Sequence, residues 1–216
     1  MEYGTRVYYA FCHKRGQSPT DYKKYQRELA DKILRYGFRQ QFGMEFDWKS
    51  VERGVHGKPF WIGEGRRCFN VSNTDGLVVC ALSDVEVGVD AEHMRKVGVP
   101  VVRRCCSQEE AAYVLGCGQN TEFAGADNLM DAGMGKNSSL ERFFQLWTLK
   151  ESYIKMTGEG MYFPMRDVVF SIQGEEQISC NQPGHFSQKQ LGEYWLSLCT
   201  GEECRVVWQE LEEMIQ

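Results

Sequence analysis

Long apolar runs are absent from this chain. The longest, Leu77 to Leu82, has six residues, where a helix crossing a bilayer needs about 20, so no membrane span is expected. Met-Glu-Tyr-Gly-Thr-Arg at the start also lacks the basic stretch and apolar core of a secretory signal. Proline is scarce, at 5 of 216 residues, while 22 glycines, 42% hydrophobic and 25% charged residues sit near globular averages, which excludes collagen-like, low-complexity and disordered chains. There is no excess of positive charge. The 25 basic and 30 acidic groups leave a net charge of -5, so neither nucleic acid nor an anionic membrane is an expected partner. The nine cysteines contain no C-x-x-C pair, and His13, His56, His93 and His185 make no zinc pattern. This odd set of cysteines reads as free thiols in a reducing cytoplasm.

What is present suits one large domain or two packed halves of roughly 100 residues. A short strand is expected at Arg6 to Phe11. Ser18-Pro-Thr-Asp21 has the form of a helix start, and Leu29, Ile33, Leu34 and Phe38 recur behind it at helical spacing. Eight Lys or Arg against three acids between Lys14 and Arg39 make this helix basic, either as a solvated amphipathic face or as a place to meet a small anion. Three β-rich runs follow, at Cys68 to Ser72, Leu77 to Leu82 and Val85 to Ala91. The turn sequences between them, Thr74-Asp75-Gly76 and Ser83-Asp84, predict an antiparallel meander. Ser107-Gln-Glu-Glu110 and Ser138-Ser-Leu-Glu141 are capping-box patterns that open two further helices, the second ending at Gly158. Between them Gly116 to Lys136 carries five glycines and no periodicity, which predicts a mobile loop. Val168 to Ile172, Tyr194 to Cys199 and Arg205 to Trp208 read as strands, with an acidic tail beyond. Helix followed by strands thus occurs on each side of about residue 95, so the expected fold is α+β in two similar halves, 1–95 and 96–216.

Three elements carry chemistry. In Val87-Gly-Val-Asp-Ala-Glu92 the apolar residues alternate with Gly88, Asp90 and Glu92, so a strand turns both carboxylates to one face. Such a pair is either a solvated edge or a seat for a hard cation such as magnesium, which prefers one or two protein carboxylates plus waters and phosphates. On the helix from Ser139, Trp147, Glu151 and Lys155 stack four apart along one stripe. Glu before Lys is also the favourable surface ion pair, but the helix is apolar on several sides, and a Glu and a Lys beside Trp147 then line a cleft. The third element is Gly57-Lys58-Pro59 followed by Phe69-Asn-Val-Ser-Asn-Thr74, each an ordinary turn or strand by itself.

Together and in this order, with G-V-D-A-E, R-R-C-C-S-Q-E-E and W-T-L-K-E-S-Y-I-K-M-T-G-E-G, these motifs resemble the 4'-phosphopantetheinyl transferases, and among them the Sfp-type class of two fused similar halves. The resemblance runs from Tyr22 to Phe163. It implies a pseudo-twofold α+β fold, monomeric, with coenzyme A held between the halves. It further implies transfer of the phosphopantetheine arm to a serine of an apo acyl or peptidyl carrier protein, with release of adenosine 3',5'-bisphosphate. Carried over by position, Asp90, Glu92 and Glu151 would be the magnesium carboxylates, with Glu151 also taking the serine proton, directly or through a water. Lys155 would lie against the pyrophosphate of coenzyme A, and Lys58, Ser72 and Asn73 near the nucleotide phosphates. A coenzyme A or carrier-binding module without turnover, and a magnesium-dependent phosphohydrolase, are the competing readings of the same residues.

Two departures from the family pattern matter. The segment before the first helix is short, so the basic residues that meet the 3'-phosphate lack clear equivalents; Lys14, Arg15 and Arg27 are the candidates, Arg27 first among them. Where the pattern reads F-N-x-S-H, this chain has Asn73, an amide that donates a hydrogen bond but carries no charge. Asn73→His should therefore tighten coenzyme A binding, and more at pH 6 than at pH 8, because an unperturbed imidazole is mostly charged only below about 6.5. Titration at the two pH values checks this, and a pH-independent gain would assign the effect to shape.

Overall fold

The structure, a computed structural model, describes residues 4–14, 16–116, 138–173 and 177–212. Arg15 and nearly all of the loop expected over Gly116 to Lys136 lie outside them. The chain begins with strand β1 (Gly4–Phe11) and helix α1 (Pro19–Phe42). Ser18 caps α1 as its sequence predicts, its side chain accepting from the backbone N–H of Asp21, which satisfies one of the orphan donors of the first turn. The apolar stripe of α1, with Leu29, Ile33, Leu34 and Phe38, packs on Tyr8 and Ala10 of β1 and on Phe69, Val78, Cys80 and Leu82.

Those last residues belong to β4 (Cys68–Thr74) and β5 (Leu77–Ser83), which follow a small hairpin of β2 (Val51–Arg53) and β3 (Pro59–Trp61). The β4–β5 hairpin is as expected, but the third run, β6 (Val87–His93), does not continue the meander. Both edges of β5 are taken, by β4 on one side and by β1 on the other, so no ladder is left for β6. It crosses instead into a second sheet and pairs antiparallel with β10 (Tyr194–Thr200), which also pairs with β9 (His185–Leu191). The first sheet has the order β11-β1-β5-β4, because β11 (Arg205–Glu210) returns from the end of the chain to run parallel to β1. A further hairpin, β7 (Phe170–Gln173) and β8 (Gln177–Cys180), completes the described strands.

The two sheets face each other through one set of alternating residues. Val7, Tyr9, Leu77, Val79 and Ala81 of the first meet Val87, Val89, Ala91, Leu196 and Leu198 of the second. The other face of β6, with Gly88, Asp90 and Glu92, is thereby turned away from the first sheet, as the alternation predicts. Helix α4 (Ser139–Thr157) covers that face. A Cβ on Gly88 would run into the backbone of Ser152, Lys155 and Met156, so the absent side chain lets α4 lie directly on β6. Ser138 caps α4 by accepting from the N–H of Glu141, and Gly158 closes it in the left-handed region at φ 77°.

Two shorter helices precede α4. One, α2 (Val99–Cys105), has no forecast in the sequence. The other, α3 (Gln108–Leu115), starts with the full capping box, Ser107 and Glu110 each bonding the other's backbone N–H. Glu110 then does more than cap. Its carboxylate accepts from the N–H groups of Ser107 at 2.7 Å and Phe170 at 2.9 Å and from Lys150 Nζ at 2.7 Å. Lys150, fully buried on α4, also donates to the carbonyls of Met165 and Val168. One ion pair thus fixes α3, α4 and the start of β7 together. The eight cysteines among the described residues are all free, in keeping with the reading from spacing. Lys150→Met would leave the Glu110 carboxylate buried without its cation and should lower the unfolding free energy by about 3–5 kcal/mol. Adding Glu110→Gln, which keeps an acceptor but removes the charge, should recover part of that loss in denaturant unfolding.

Candidate active site

The site is built where the two sheets meet at their edges. Alternate N–H groups of β6 face away from β10 and toward β4, and side chains of β4 receive them. Asn70 Oδ1 accepts from Val89 at 3.0 Å, Ser72 Oγ from Ala91 at 3.2 Å and Thr74 Oγ1 from His93 at 3.1 Å. This matched spacing of two residues on both strands sets Ser72 beside Asp90. With α4 seated on Gly88, a cavity of about 320 Å³ opens between β4, β6 and α4, lined by Ser72, Asn73, Asp90, Glu92, Glu151 and Lys155, with Trp147 as its aromatic wall.

Six of the eight sequence-designated residues therefore converge. Lys58 and Arg27 do not line this cavity. Lys58 Nζ donates to the carbonyl of Met156 at 2.6 Å and to Glu86 at 3.0 Å, which places its charge at the C-terminal end of α4, where the helix dipole favours it. Arg27 lies exposed on α1. Within the cavity Lys155 Nζ reaches Asp90 Oδ1 at 2.6 Å and Ser72 Oγ at 2.9 Å. Glu92 is held by Arg95 at 2.6 Å. Asn73 Nδ2 donates to Gln26 Oε1 at 3.3 Å, and Gln26 Nε2 in turn donates to the carbonyl of Thr74 at 2.6 Å.

Gln26 and Arg95 were not singled out by sequence. Arg95 stands three residues past Glu92, a spacing that gives no signal on a strand end. Gln26 is a polar residue on the apolar stripe of α1, and that position is the one sign of its role.

The charges in this cavity are unbalanced. The carboxyl of Glu151 is pushed up to about 7, first by burial and then by the negative charge of Asp90, with Glu92 adding and Lys155 opposing. Asp90 Oδ2 is buried and has no hydrogen-bond partner, a state that costs more for an ionised group than for a neutral one. Among the described residues no group of three or more His, Cys, Asp and Glu side chains stands ready as a metal cage. An oxygen-preferring cation that takes one or two carboxylates and completes its shell with water and phosphate nonetheless fits an orphaned Asp90 Oδ2 close to Glu151.

A pH dependence follows with a defined sign. A raised carboxyl binds its proton more tightly in the folded state, so its contribution to stability is full below the ordinary value of 4.5 and is lost as pH rises through about 7. Without divalent cation, Glu151→Gln should melt higher than the wild type near pH 8 and match it near pH 4 on the same linkage. Magnesium should raise the wild-type melting temperature near pH 8 and raise that of the variant less.

Residues 86–199, from the start of β6 through β10, match the family model of the 4'-phosphopantetheinyl transferase superfamily. That span includes Asp90, Glu92, Glu151 and Lys155. The chain is 29% identical over 172 residues to 4'-phosphopantetheinyl transferase gsp of Aneurinibacillus migulanus, covering 75% of this chain and 65% of that protein. It is 23% identical over 159 residues to 4'-phosphopantetheinyl transferase Sfp of Bacillus subtilis (strain 168), covering 74% and 63%, and 23% identical over 157 residues to psf-1 of Bacillus pumilus, covering 73% and 60%. The matches thus span under two thirds of these relatives' lengths. With a family match over more than half of its residues, the chain belongs to the 4'-phosphopantetheinyl transferase superfamily.

Proposed function

We propose that this protein transfers the 4'-phosphopantetheine arm of coenzyme A to a serine of an apo acyl or peptidyl carrier protein, with magnesium, releasing adenosine 3',5'-bisphosphate. The observation that carries the reading is the convergence of Asp90, Glu151 and Lys155 in one cavity within the family-matched span. In the reaction the serine oxygen bonds to the β-phosphorus, the bridging phosphorus–oxygen bond breaks, and the bisphosphate leaves. Glu151, in the same cavity, would take the serine proton, directly or through a water. Lys155, on release from Asp90, brings its charge to the bridging and leaving oxygens. Asp90, Glu151 and, once freed from Arg95, Glu92 would hold magnesium, which supplies neutralisation of the pyrophosphate when bound. Lys58, Asn73 and Arg27 belong to the nucleotide side in this reading.

The repeated order of strand, helix, strand, strand supports two similar halves related by a pseudo-twofold axis and dividing between β5 and β6, ahead of the boundary at 95 expected from sequence. It occurs as β1-α1-β4-β5 and again as β6-α4-β9-β10, with β5 and β10 each central between the other two strands. One chain lines the whole cavity, which supports a monomer. No helix among the described residues is long and apolar enough to cross a membrane, and with the free thiols this supports action in the cytoplasm.

The test is the intact mass of an apo carrier protein incubated with coenzyme A and magnesium. Gain of one phosphopantetheine arm is expected. Coenzyme A consumed over an unchanged carrier would favour the phosphohydrolase, and tight binding without either change would favour a binding module. Asp90→Ala should abolish transfer with the fold intact. Lys155→Met should lower turnover per folded molecule about a hundredfold or more, the scale of losing one transition-state charge contact.

A further inference from the structure

Register sets the α4-facing residues of the second sheet in cross-strand rows. Asp90 of β6 stands opposite Ser197 of β10, and Ser197 opposite Gln188 of β9, so all three lie on the face that α4 covers. The neighbouring row of Gly88, Cys199 and Phe186 has no hydroxyl, amide or acid. Behind Asp90, and outside the cavity lining, the polar row is joined to the helix by a directed chain of hydrogen bonds. Gln188 Nε2 donates to Ser197 Oγ at 2.8 Å and to the carbonyl of Gln145 at 2.9 Å. Ser197 Oγ and Thr148 Oγ1 are 2.7 Å apart, and Thr148 donates to the carbonyl of Phe144 at 2.9 Å. Thr148 has one proton and that bond uses it, so Ser197 is the donor between the two hydroxyls. The amide of Gln188 is fixed in the same way, because the reverse orientation would set Oε1 against the Gln145 carbonyl.

A core built for stability alone would not contain this chain. Ser197 and Thr148 are fully buried, and Gln188 Oε1 is buried with no partner, a cost that an apolar side chain would avoid. We infer that Thr148, Ser197 and Gln188 are positioning residues: they fix where α4 stands along its axis over the second sheet, and so how far Glu151 and Lys155 stand from Asp90. Gly88 lets the helix come close, but apolar contact is non-directional and sets no place along the axis. Hydrogen bonds have a preferred distance and direction, and do. Thr148 precedes Glu151 by three residues and Lys155 by seven, about 4.5 and 10.5 Å along the helix, so a shift at Thr148 is carried to both. Its partner Ser197 is paired directly with Asp90, which refers the helix and the carboxylate to one point. The inference deepens the transferase reading and rests on it for its chemistry, while none of the three residues lines the cavity.

Transfer to an apo carrier protein is followed under single-turnover conditions, per folded molecule, for Gln188→Leu, Thr148→Val and Thr148→Ser, beside melting temperature and calorimetric titrations of coenzyme A and of magnesium. Gln188→Leu removes the unpartnered oxygen and leaves no donor stranded, since Ser197 keeps its proton on Thr148 and the Gln145 carbonyl lies inside α4, where the helix supplies a donor. This variant should melt at or above the wild type yet transfer about tenfold more slowly, the reverse of what loss of a packing contact produces. Thr148→Val leaves the Ser197 proton without its acceptor and should lose both melting temperature and turnover. Thr148→Ser restores the hydroxyl and should transfer within about threefold of wild type, and coenzyme A affinity should stay within about threefold in all three, because ground-state contacts tolerate a displacement that the transition state does not. Wild-type turnover in both Gln188→Leu and Thr148→Val, whatever their melting, would overturn the positioning role. A wild type that binds coenzyme A and modifies no carrier would instead sink the transferase reading. The magnesium titration then decides the inference by itself: affinity about tenfold weaker in Gln188→Leu supports it, the usual scale for losing a group that orients a ligand, and unchanged affinity overturns it.

Discussion

The edge where β4 meets β6 is joined by side chains in place of a backbone ladder, and the site depends on that substitution. A buried N–H without an acceptor costs about 1–3 kcal/mol, and β6 has three such groups pointing away from its one strand partner. Asn70, Ser72 and Thr74 accept all three. A backbone ladder would have bonded the same N–H groups but would have turned its own side chains to the two sheet faces. Here the bonding side chains lie in the seam itself, which is how a hydroxyl comes to sit against a buried carboxylate.

The seam requires α4 to be close, and Gly88 sets how close. The helix backbone occupies the volume that any Cβ at this position would need. Asp90 is two residues further along the same face, so the approach that Gly88 permits is what brings Lys155 within hydrogen-bond distance of Oδ1. On the far side of α4, the Lys150–Glu110 pair resists rotation of the helix about its axis. Neighbours in sequence, Lys150 and Glu151 thus divide two tasks: one ties the helix to the body of the protein, and the other faces the cavity. The pair also explains why a lysine belongs inside the W-T-L-K-E run, since its three donors meet a carboxylate and two carbonyls.

Local rules were readable from sequence wherever local interactions decide the outcome. The caps at Ser18, Ser107 and Ser138, the apolar stripe of α1 and the alternation in Val87 to Glu92 all stand as expected, because each depends on residues within one turn or one strand. The meander failed at β6 for a reason no local pattern contains: β1, far earlier in the chain, already occupies the free edge of β5. The same limit applies to Lys58. Its motif gives the turn, but not that α4 would end within reach and engage its ammonium through the carbonyl of Met156. Gln26 shows the converse. A glutamine in an apolar stripe is a visible anomaly, and only the fold shows that it fixes the amide of Asn73.

The parallel pairing of β11 with β1 has a consequence for how the protein is made. Gly4 lies opposite Arg205 and Tyr9 opposite Glu210, so these contacts close a loop of about 200 residues, an entropically demanding kind to form and among the last to gain from local structure. Until β11 arrives, β1 presents an open row of backbone groups beside buried Val7 and Tyr9, the arrangement through which strands of separate molecules join. During synthesis the first sheet is therefore exposed to intermolecular pairing for as long as its closing strand remains in the ribosome.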